Sequence, residues 1–378
     1  MSEQIAPGAA KRARRGTGDV LSQRALNRAT LARQLLFARE KRPAIEVIQH
    51  LAGMQAQNPL DPYYALWSRL EAFQPAELAA LLTGRQAVRT ALLRTTIHLV
   101  TAGDCLAMRP MVQHILERVF WSTSFAKNIK GINTESLLAL GRTVLTEQPR
   151  TGPALGKLLA ERWPEYDPAS LAYAVRYILP LVQIPPRGIW GQGGQATWAT
   201  VETWLGRPVA TATAPDALVP RYLAAFGPAS VMDMQNWSGL TRLSEIFDRL
   251  RPRLRAFHDE AGVELFDLPE APRPDPETPA PPRFFPEYDN LFLGHADRAR
   301  IVPPGRGSRH VAGYAFTVDG FFRGVWKFQR TKATTTLLID PFDPLSPAEE
   351  AALLDEARGL LAFATPETAH AILFTRIS

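Results

Sequence analysis

From Leu21 onward, Leu26, Ala29, Ala32, Leu35 and Leu36 recur at helical spacing, with Arg24, Arg28, Arg33 and Arg39 between them. This is the pattern of an amphipathic helix with a basic outer face. Pro43 opens a second helix with Ile45, Ile48, Leu51 and Ala52 along one side, and Gly53 is placed to stop it. After the short stretch Gln55-Ala56-Gln57-Asn58, Asp61-Pro62 reads as the N-cap and first-turn proline of a third helix, which carries Tyr63, Leu66, Trp67 and Leu70. Another short helix begins at Pro75. Val88 to Leu93 and Ile97 to Val100 are rich in β-branched residues and predict a hairpin around Arg94-Thr95-Thr96.

Helices followed by a hairpin make a winged helix-turn-helix unit, and the order returns twice. In the second pass helices start at Asn133, at Thr151-Gly152-Pro153 and at Asp167-Pro168. Leu181 to Ile184 and Ile189 to Trp190 then form the predicted hairpin, turned by Pro185-Pro186-Arg187-Gly188. In the third pass, helices over Leu218 to Phe226, Val231 to Trp237 and Leu243 to Leu250 precede strands Leu254 to His258 and Val263 to Leu268. The hairpins lie about 75 to 90 residues apart, one domain-sized unit each, without residue-level identity between units.

Residues 269–283 hold seven prolines and mark a semi-rigid boundary. Beyond it, Val311 to Val318, Phe321 to Gln329 and Thr335 to Ile339 predict a meander with a tight Asp319-Gly320 turn. Ser346-Pro347-Ala348-Glu349 is a capping box for a last helix, and Ala369 to Phe374 a last strand. The expected architecture is α+β and mainly helical. It runs as a disordered basic tail (1–19), first winged helix (20–104), connecting helix (105–132), second winged helix (133–206), third winged helix (215–268), linker (269–283) and C-terminal β-containing α+β unit (284–378).

Composition narrows the chemistry. Hydrophobic residues at 46% and charged residues at 21% of 378 are those of a globular protein. The single cysteine, Cys105, rules out an internal disulfide and thiolate-cluster zinc or iron–sulfur sites, and fits a reducing cytoplasm. The seven histidines show no metal-ligand spacing, Gly191-Gln192-Gly193-Gly194 lacks the ending of a phosphate loop, and no Gly-x-Ser-x-Gly elbow occurs. No cofactor and no metal are expected. Neither a signal peptide nor an apolar run of roughly 20 residues is present, so no membrane is expected either. A net charge of +6 makes polyanions the first partners to consider. Trp198 and Trp204 read as core residues.

Gln55 and Gln57 are the most distinctive polar pair. A carboxamide has two donors and an acceptor but no proton to lose near neutral pH, so it can hold a water or read a base edge, not act as a strong base. The plain alternative is that both amides satisfy loop backbone.

Gln55-Ala56-Gln57, the strand Arg94-Thr95-Thr96-Ile97-His98-Leu99-Val100 and the segment Phe285-Pro286-Glu287-Tyr288-Asp289-Asn290-Leu291 together resemble one family, over Leu21 to Phe363. It is that of the bacterial winged-helix DNA glycosylases typified by AlkZ and YcaQ. The resemblance implies three tandem winged-helix units and a β-containing C-terminal part arranged as a C-shaped channel for duplex DNA. It also implies excision of N-alkylated bases such as N7-alkylguanine, with unhooking of interstrand crosslinks in AlkZ relatives. The AlkZ branch carries Gln, an apolar residue and Gln, and the YcaQ branch ends the motif in Asp; residues 55–57 match the former, with Ala56 a small apolar member.

An N7-alkylated guanine is already cationic and leaves as a neutral base, so little acid assistance is needed and charge passes to the deoxyribose. Neutral glycosides instead need a pair of carboxyl groups. On this reading the carbonyl oxygens of Gln55 and Gln57 orient a water and favour the developing cation. Asn58, Arg94 and Thr96 are candidate DNA contacts. Tyr63 and Trp67 either stack a distorted base or pack the core. His98 either meets phosphate or satisfies a nearby carbonyl, and Asp289 and Asn290 suit a turn or cap. No lysine stands out as an imine-forming nucleophile, so a monofunctional glycosylase is expected. The chain shows no heptad seam, in keeping with a monomer on double-stranded DNA. A non-catalytic winged-helix regulator or architectural protein and a drug-sequestering protein are the rival readings.

Overall fold

The computed structural model describes residues 19–210, 214–305 and 313–377. All of the predicted basic tail except Asp19 lies outside them. The chain enters through β1 (Val20–Leu21) and α1 (Gln23–Arg33), whose first turn is capped by the Ser22 hydroxyl accepting from the Ala25 amide.

The first repeat consists of α2 (Ala44–His50), β2 (Met54–Gln55), α3 (Asp61–Trp67), α4 (Pro75–Thr83), β3 (Ala87–Ala91) and β4 (Ile97–Thr101). Helices α5 (Ala102–Trp121) and α6 (Ser124–Asn128) lead to the second. It has the same order: α7 (Thr134–Glu147), β5 (Arg150–Thr151), α8 (Gly152–Arg162), α9 (Pro168–Ile178), β6 (Leu181–Ile184) and β7 (Thr197–Thr200), with α10 (Val201–Leu205) following. In the third, α11 (Leu218–Phe226) is followed by a single bridge at Ala229, then α12 (Val231–Ser238), α13 (Ser244–Leu250), β8 (Arg255–Asp259) and β9 (Glu264–Asp267). Side-chain caps from Asn133, Thr151, Asp167 and Ser230 start α7, α8, α9 and α12, each satisfying an otherwise orphaned helix N–H.

In every repeat the short piece after the first helix pairs with the outgoing strand of the hairpin. Gln55 lies opposite His98, Thr151 opposite Thr197, and Ala229 opposite Phe266. The first two hairpins merge into one six-stranded sheet ordered β2-β4-β3-β6-β7-β5, joined where Arg89 and Thr90 pair with Gln183 and Val182. The third hairpin takes β1 as a parallel partner instead.

Two expectations change here. The return strand of the second hairpin is β7, not Ile189 to Trp190. Pro185 and Pro186 have no N–H for a ladder, and Ile189 and Trp190 turn inward, Ile189 into the core and Trp190 onto the Tyr63 ring at 5.0 Å. Nor is the arginine face of α1 an outer one. Arg28 and Arg33 are fully buried: Arg28 pairs with Asp319, and Arg33 reaches both carboxylate oxygens of Asp267 at 2.6 and 2.8 Å. Charge on a helix is not exposure when distant carboxylates come to meet it.

The C-terminal part holds β10 (Arg283–Phe285), α14 (Asn290–Leu293), β11 (Ala315–Val318), β12 (Phe321–Arg330), β13 (Thr334–Pro341), α15 (Pro347–Ala364) and β14 (Ala369–Phe374). Val311, where the first strand of the meander was expected to begin, is outside the described residues. The five strands pair in chain order, β14 parallel to β13. The turn at Gly320 (φ +77°) lies so close to α1 that a Cβ there would meet Leu31 Cδ1 at 2.4 Å, which demands glycine. One core joins Val47, Ile48, Leu66 and Leu82 of the first repeat to Phe284, Trp326, Leu337 and Leu360 of the C-terminal part, across the proline-rich stretch.

Arg69, just after α3, donates to both oxygens of Asp289 at 2.7 and 2.9 Å with both side chains buried. Arg69→Met leaves that carboxylate buried without its cation, and is expected to lower the unfolding free energy by about 3–5 kcal/mol in urea titrations. A change within about 0.5 kcal/mol, the usual range for surface positions, would contradict this.

Candidate functional site

Helix α2 is capped at Leu51 and the chain turns through Ala52 (φ +53°) and Gly53 (φ +98°), where a side chain at Gly53 would strike Val100 Cγ1 at 2.6 Å. The chain then runs extended, with the Ala56 amide donating to the Ile97 carbonyl at 2.7 Å. Gln55 ends the short strand and is almost buried, Ala56 is fully buried, and Gln57 follows in a bend with its side chain exposed. Arg89 Nη2 donates to the Ala56 carbonyl at 2.8 Å from beneath. Burial, and secondarily Arg187, pushes the Arg89 guanidinium down to about 10, and its Nε and Nη1 find no partner among the described residues.

Both amides have a defined orientation. Gln55 Oε1 accepts from Arg94 Nη2 at 3.1 Å, and Gln57 Oε1 accepts from the Ile97 amide at 3.3 Å. Guanidinium and backbone N–H can only donate, so each side chain must turn its oxygen inward. That leaves both NH2 groups without a protein partner among the described residues. Gln55 is nearly buried and Gln57 is exposed. The expected pair of outward carbonyl oxygens is therefore replaced by outward donors, with one lone pair remaining on each oxygen.

Arg94 does not stand free at the hairpin tip. It is half-buried in a left-handed conformation (φ +50°), and besides Gln55 it donates to the Trp237 carbonyl. Burial first, and Arg298 second, pushes its guanidinium down to about 10, which leaves it charged at neutral pH. Thr96 closes the tip, its carbonyl accepting from the Leu92 amide at 3.0 Å and its hydroxyl donating to Leu93 O at 3.3 Å. His98 is buried opposite Gln55 with Nδ1 3.0 Å from the Thr96 carbonyl, and burial together with Arg94 holds it down to about 3. The imidazole is neutral and satisfies a carbonyl rather than meeting phosphate.

On the other flank, Asn58 Oδ1 accepts from the Leu60 amide and its Nδ2 donates to the Tyr314 hydroxyl, both at 3.2 Å. Tyr314 in turn donates to Asp61 at 3.2 Å. Asp61 was expected to cap α3. Leu60 occupies the cap position instead, and Asp61 is buried inside the first turn. Burial pushes its carboxyl up to about 8 despite the Tyr314 hydrogen bond.

Tyr63 and Trp67 are packed away from any base. Tyr63 is fully buried, donates to the Gly188 carbonyl at 2.8 Å and accepts from the Trp190 amide at 3.1 Å, pinning the wing of the second repeat beside the glutamines. Trp67 stacks on Phe363 at 5.8 Å and carries Arg39 over its ring at 4.3 Å. Asp289 caps α14, and Asn290 Nδ2 donates to the Gly53 carbonyl at 2.8 Å, bracing the turn that leads into Gln55. Sequence reasoning missed Arg89, Arg94's inward role and Tyr314. The visible sign was a single charged residue, Arg89, inside the strand-forming stretch Val88-Arg89-Thr90-Ala91.

Among the described residues no group of three or more His, Cys, Asp or Glu is placed to hold a metal ion, and no helix is long and apolar enough to cross a membrane. Comparison with known proteins gives two findings. A family model described as DNA glycosylase AlkZ-like matches residues 48–363. The solved structure of the Streptomyces sahachiroi DNA glycosylase AlkZ superposes with a TM-score of 0.76 at 19% identity, covering 94% of this chain and 100% of that one. At that identity the likeness is one of fold. No curated protein matches by sequence.

Asp61 also generates a pH prediction. Its folded value lies above the ordinary carboxylate value, so the stability it contributes is complete at low pH and is lost as pH rises towards about 8. Asp61→Asn keeps an acceptor for Tyr314 and removes the charge. At pH 8 it should be more stable than the wild type by at least about 1 kcal/mol, with the gap closing towards pH 4. Thermal melts across that range would show it, and a gap independent of pH would mean that Asp61 titrates normally.

Proposed function

The chain belongs to the AlkZ-like DNA glycosylase family, and from that premise we propose that it hydrolyses the N-glycosidic bond of cationic, N7-alkylguanine-type bases in duplex DNA. We assign it as a monofunctional, monomeric repair enzyme of the bacterial cytoplasm. The observation that carries this reading is the pair of carboxamides one residue apart, Gln55 and Gln57, each with its oxygen fixed by an inward donor. A site of two amides lacks a strong acid to protonate a poor leaving group. It suits a base that alkylation has already made a good one.

In this scheme the exposed Gln57 holds the attacking water through the free lone pair on its oxygen, and the NH2 groups meet acceptor atoms on the departing base. Preorganised dipoles then favour separation of the neutral base from the oxocarbenium-like sugar. Residues 53–61 include no lysine, and a covalent imine is not part of the scheme. The same bond is the one broken when an N7-linked interstrand crosslink is unhooked, and that activity belongs to the proposal. Three repeats of a DNA-binding architecture in a chain of net charge +6 support a duplex substrate arranged along a concave surface.

Replacing both Gln55 and Gln57 with Leu is expected to reduce release of free 7-methylguanine from a duplex by about 100-fold or more while duplex affinity stays within about threefold. Chromatographic assay of free base alongside fluorescence anisotropy tests this, and wild-type release by the double variant would refute it. The wild-type protein should also prefer 7-methylguanine over uracil in matched duplexes. A regulator would instead bind one sequence far more tightly than bulk DNA and release no base.

A further inference from the structure

We propose that Arg94 is the positioning residue for Gln55: it holds the Gln55 oxygen inward, so that the NH2 group is what this side chain offers to DNA, and anchors that orientation on helix α12 of the third repeat. The inference rests on the glycosylase reading above and assigns a role within the same site.

The geometry is specific. One guanidinium edge reaches two acceptors from different repeats, Nη2 to Gln55 Oε1 at 3.1 Å and Nη1 to the carbonyl of Trp237. Trp237 lies in the last turn of α12, where carbonyls have no helical partner and the helix dipole favours a cation. Gly239 caps that helix in the left-handed region (φ +78°), and a Cβ there would stand 3.4 Å from the Arg94 amide nitrogen, so the hairpin tip and the helix end are in close contact. Arg94 itself takes φ +50° and Thr95 φ +61°. Both are the central residues of the tight hairpin turn closed by the Thr96 amide on the Leu93 carbonyl at 3.1 Å, which fixes where the Arg94 side chain starts.

An amide flip at Gln55 would place NH2 against guanidinium, donor against donor. Arg94 thus selects one of two amide orientations that are otherwise nearly equal in shape. Lysine cannot replace it, because a single ammonium on a flexible stem does not present two donors in a fixed fork to acceptors on separate elements.

The test uses the full chain and a 7-methylguanine duplex. Single-turnover release is measured at saturating enzyme, affinity by anisotropy, and folding by thermal melting. Arg94→Met and Arg94→Lys should each slow single-turnover release by about tenfold to 100-fold, with duplex Kd within about threefold of wild type. In Arg94→Gly, which suits the positive φ and leaves a hole of matching shape, added guanidinium ion should raise the release rate by about fivefold or more. The same additive should leave wild type and Gln55→Leu without gain.

A loss confined to Kd would make Arg94 a phosphate contact and overturn the proposal. Wild-type release by Arg94→Lys, or no rescue of a folded Arg94→Gly, would also overturn it. If Arg94→Met fails to fold, the Lys and Gly variants decide alone. A wild-type protein that releases no 7-methylguanine refutes the parent reading and this inference with it, whereas an active wild type with unaffected variants refutes the inference only.

Discussion

The ion pair between Arg69 and Asp289 is the contact on which the position of the glutamines depends. It is sealed from water, joins the end of α3 to the start of α14, and is completed by Gln34, which takes two more of the arginine's donors on its carbonyl and side-chain oxygens. Asp289 caps α14, and the next residue, Asn290, holds the Gly53 carbonyl. Two residues further along the first repeat is Gln55. A buried pair of this kind adds little net stability over a well-packed apolar substitute, and its value lies in fixing geometry once both charges are committed. Arg33 with Asp267, and Arg39 and Arg283 with Glu356, do the same at other joints.

Around the glutamines the electrostatics are those of a preorganised donor set. Arg89 holds the backbone, Arg94 the first side chain and the Ile97 amide the second, all from the inner side. His98, opposite Gln55, is kept neutral by burial and by the neighbouring guanidinium. Asp61, the nearest carboxyl in sequence, is turned towards Tyr314. The groups that fix the two amides are therefore donors and not bases, and the one carboxyl close by in sequence is committed to a hydroxyl.

Local signals in the chain were legible. Asn133, Thr151 and Asp167 cap the helices they were expected to start, and the first and third hairpins form within a residue or two of their predicted bounds. The glutamine motif could be found because two amides one residue apart are an unusual local pattern. What escaped was set by partners far along the chain. The buried arginines of α1 answer to carboxylates more than 230 residues away. Asp61 was drawn from a capping role by Tyr314, and Tyr63 was claimed by the carbonyl of Gly188. Periodicity shows which face of a helix is apolar, but not which charged residue will meet a counter-charge.

The seam between β3 and β6 sets a limit on modularity. Because one continuous sheet draws its central strands from two repeats, neither repeat has an intact border of its own. Recombination that exchanged either repeat for a foreign counterpart would have to recreate this strand register as well as the hairpin itself. The third repeat, whose hairpin adjoins β1 rather than its sisters, could be exchanged without breaking that sheet, but a replacement would still have to present the Trp237 carbonyl to Arg94 and fill the core it shares with Val88, Leu92 and Val100.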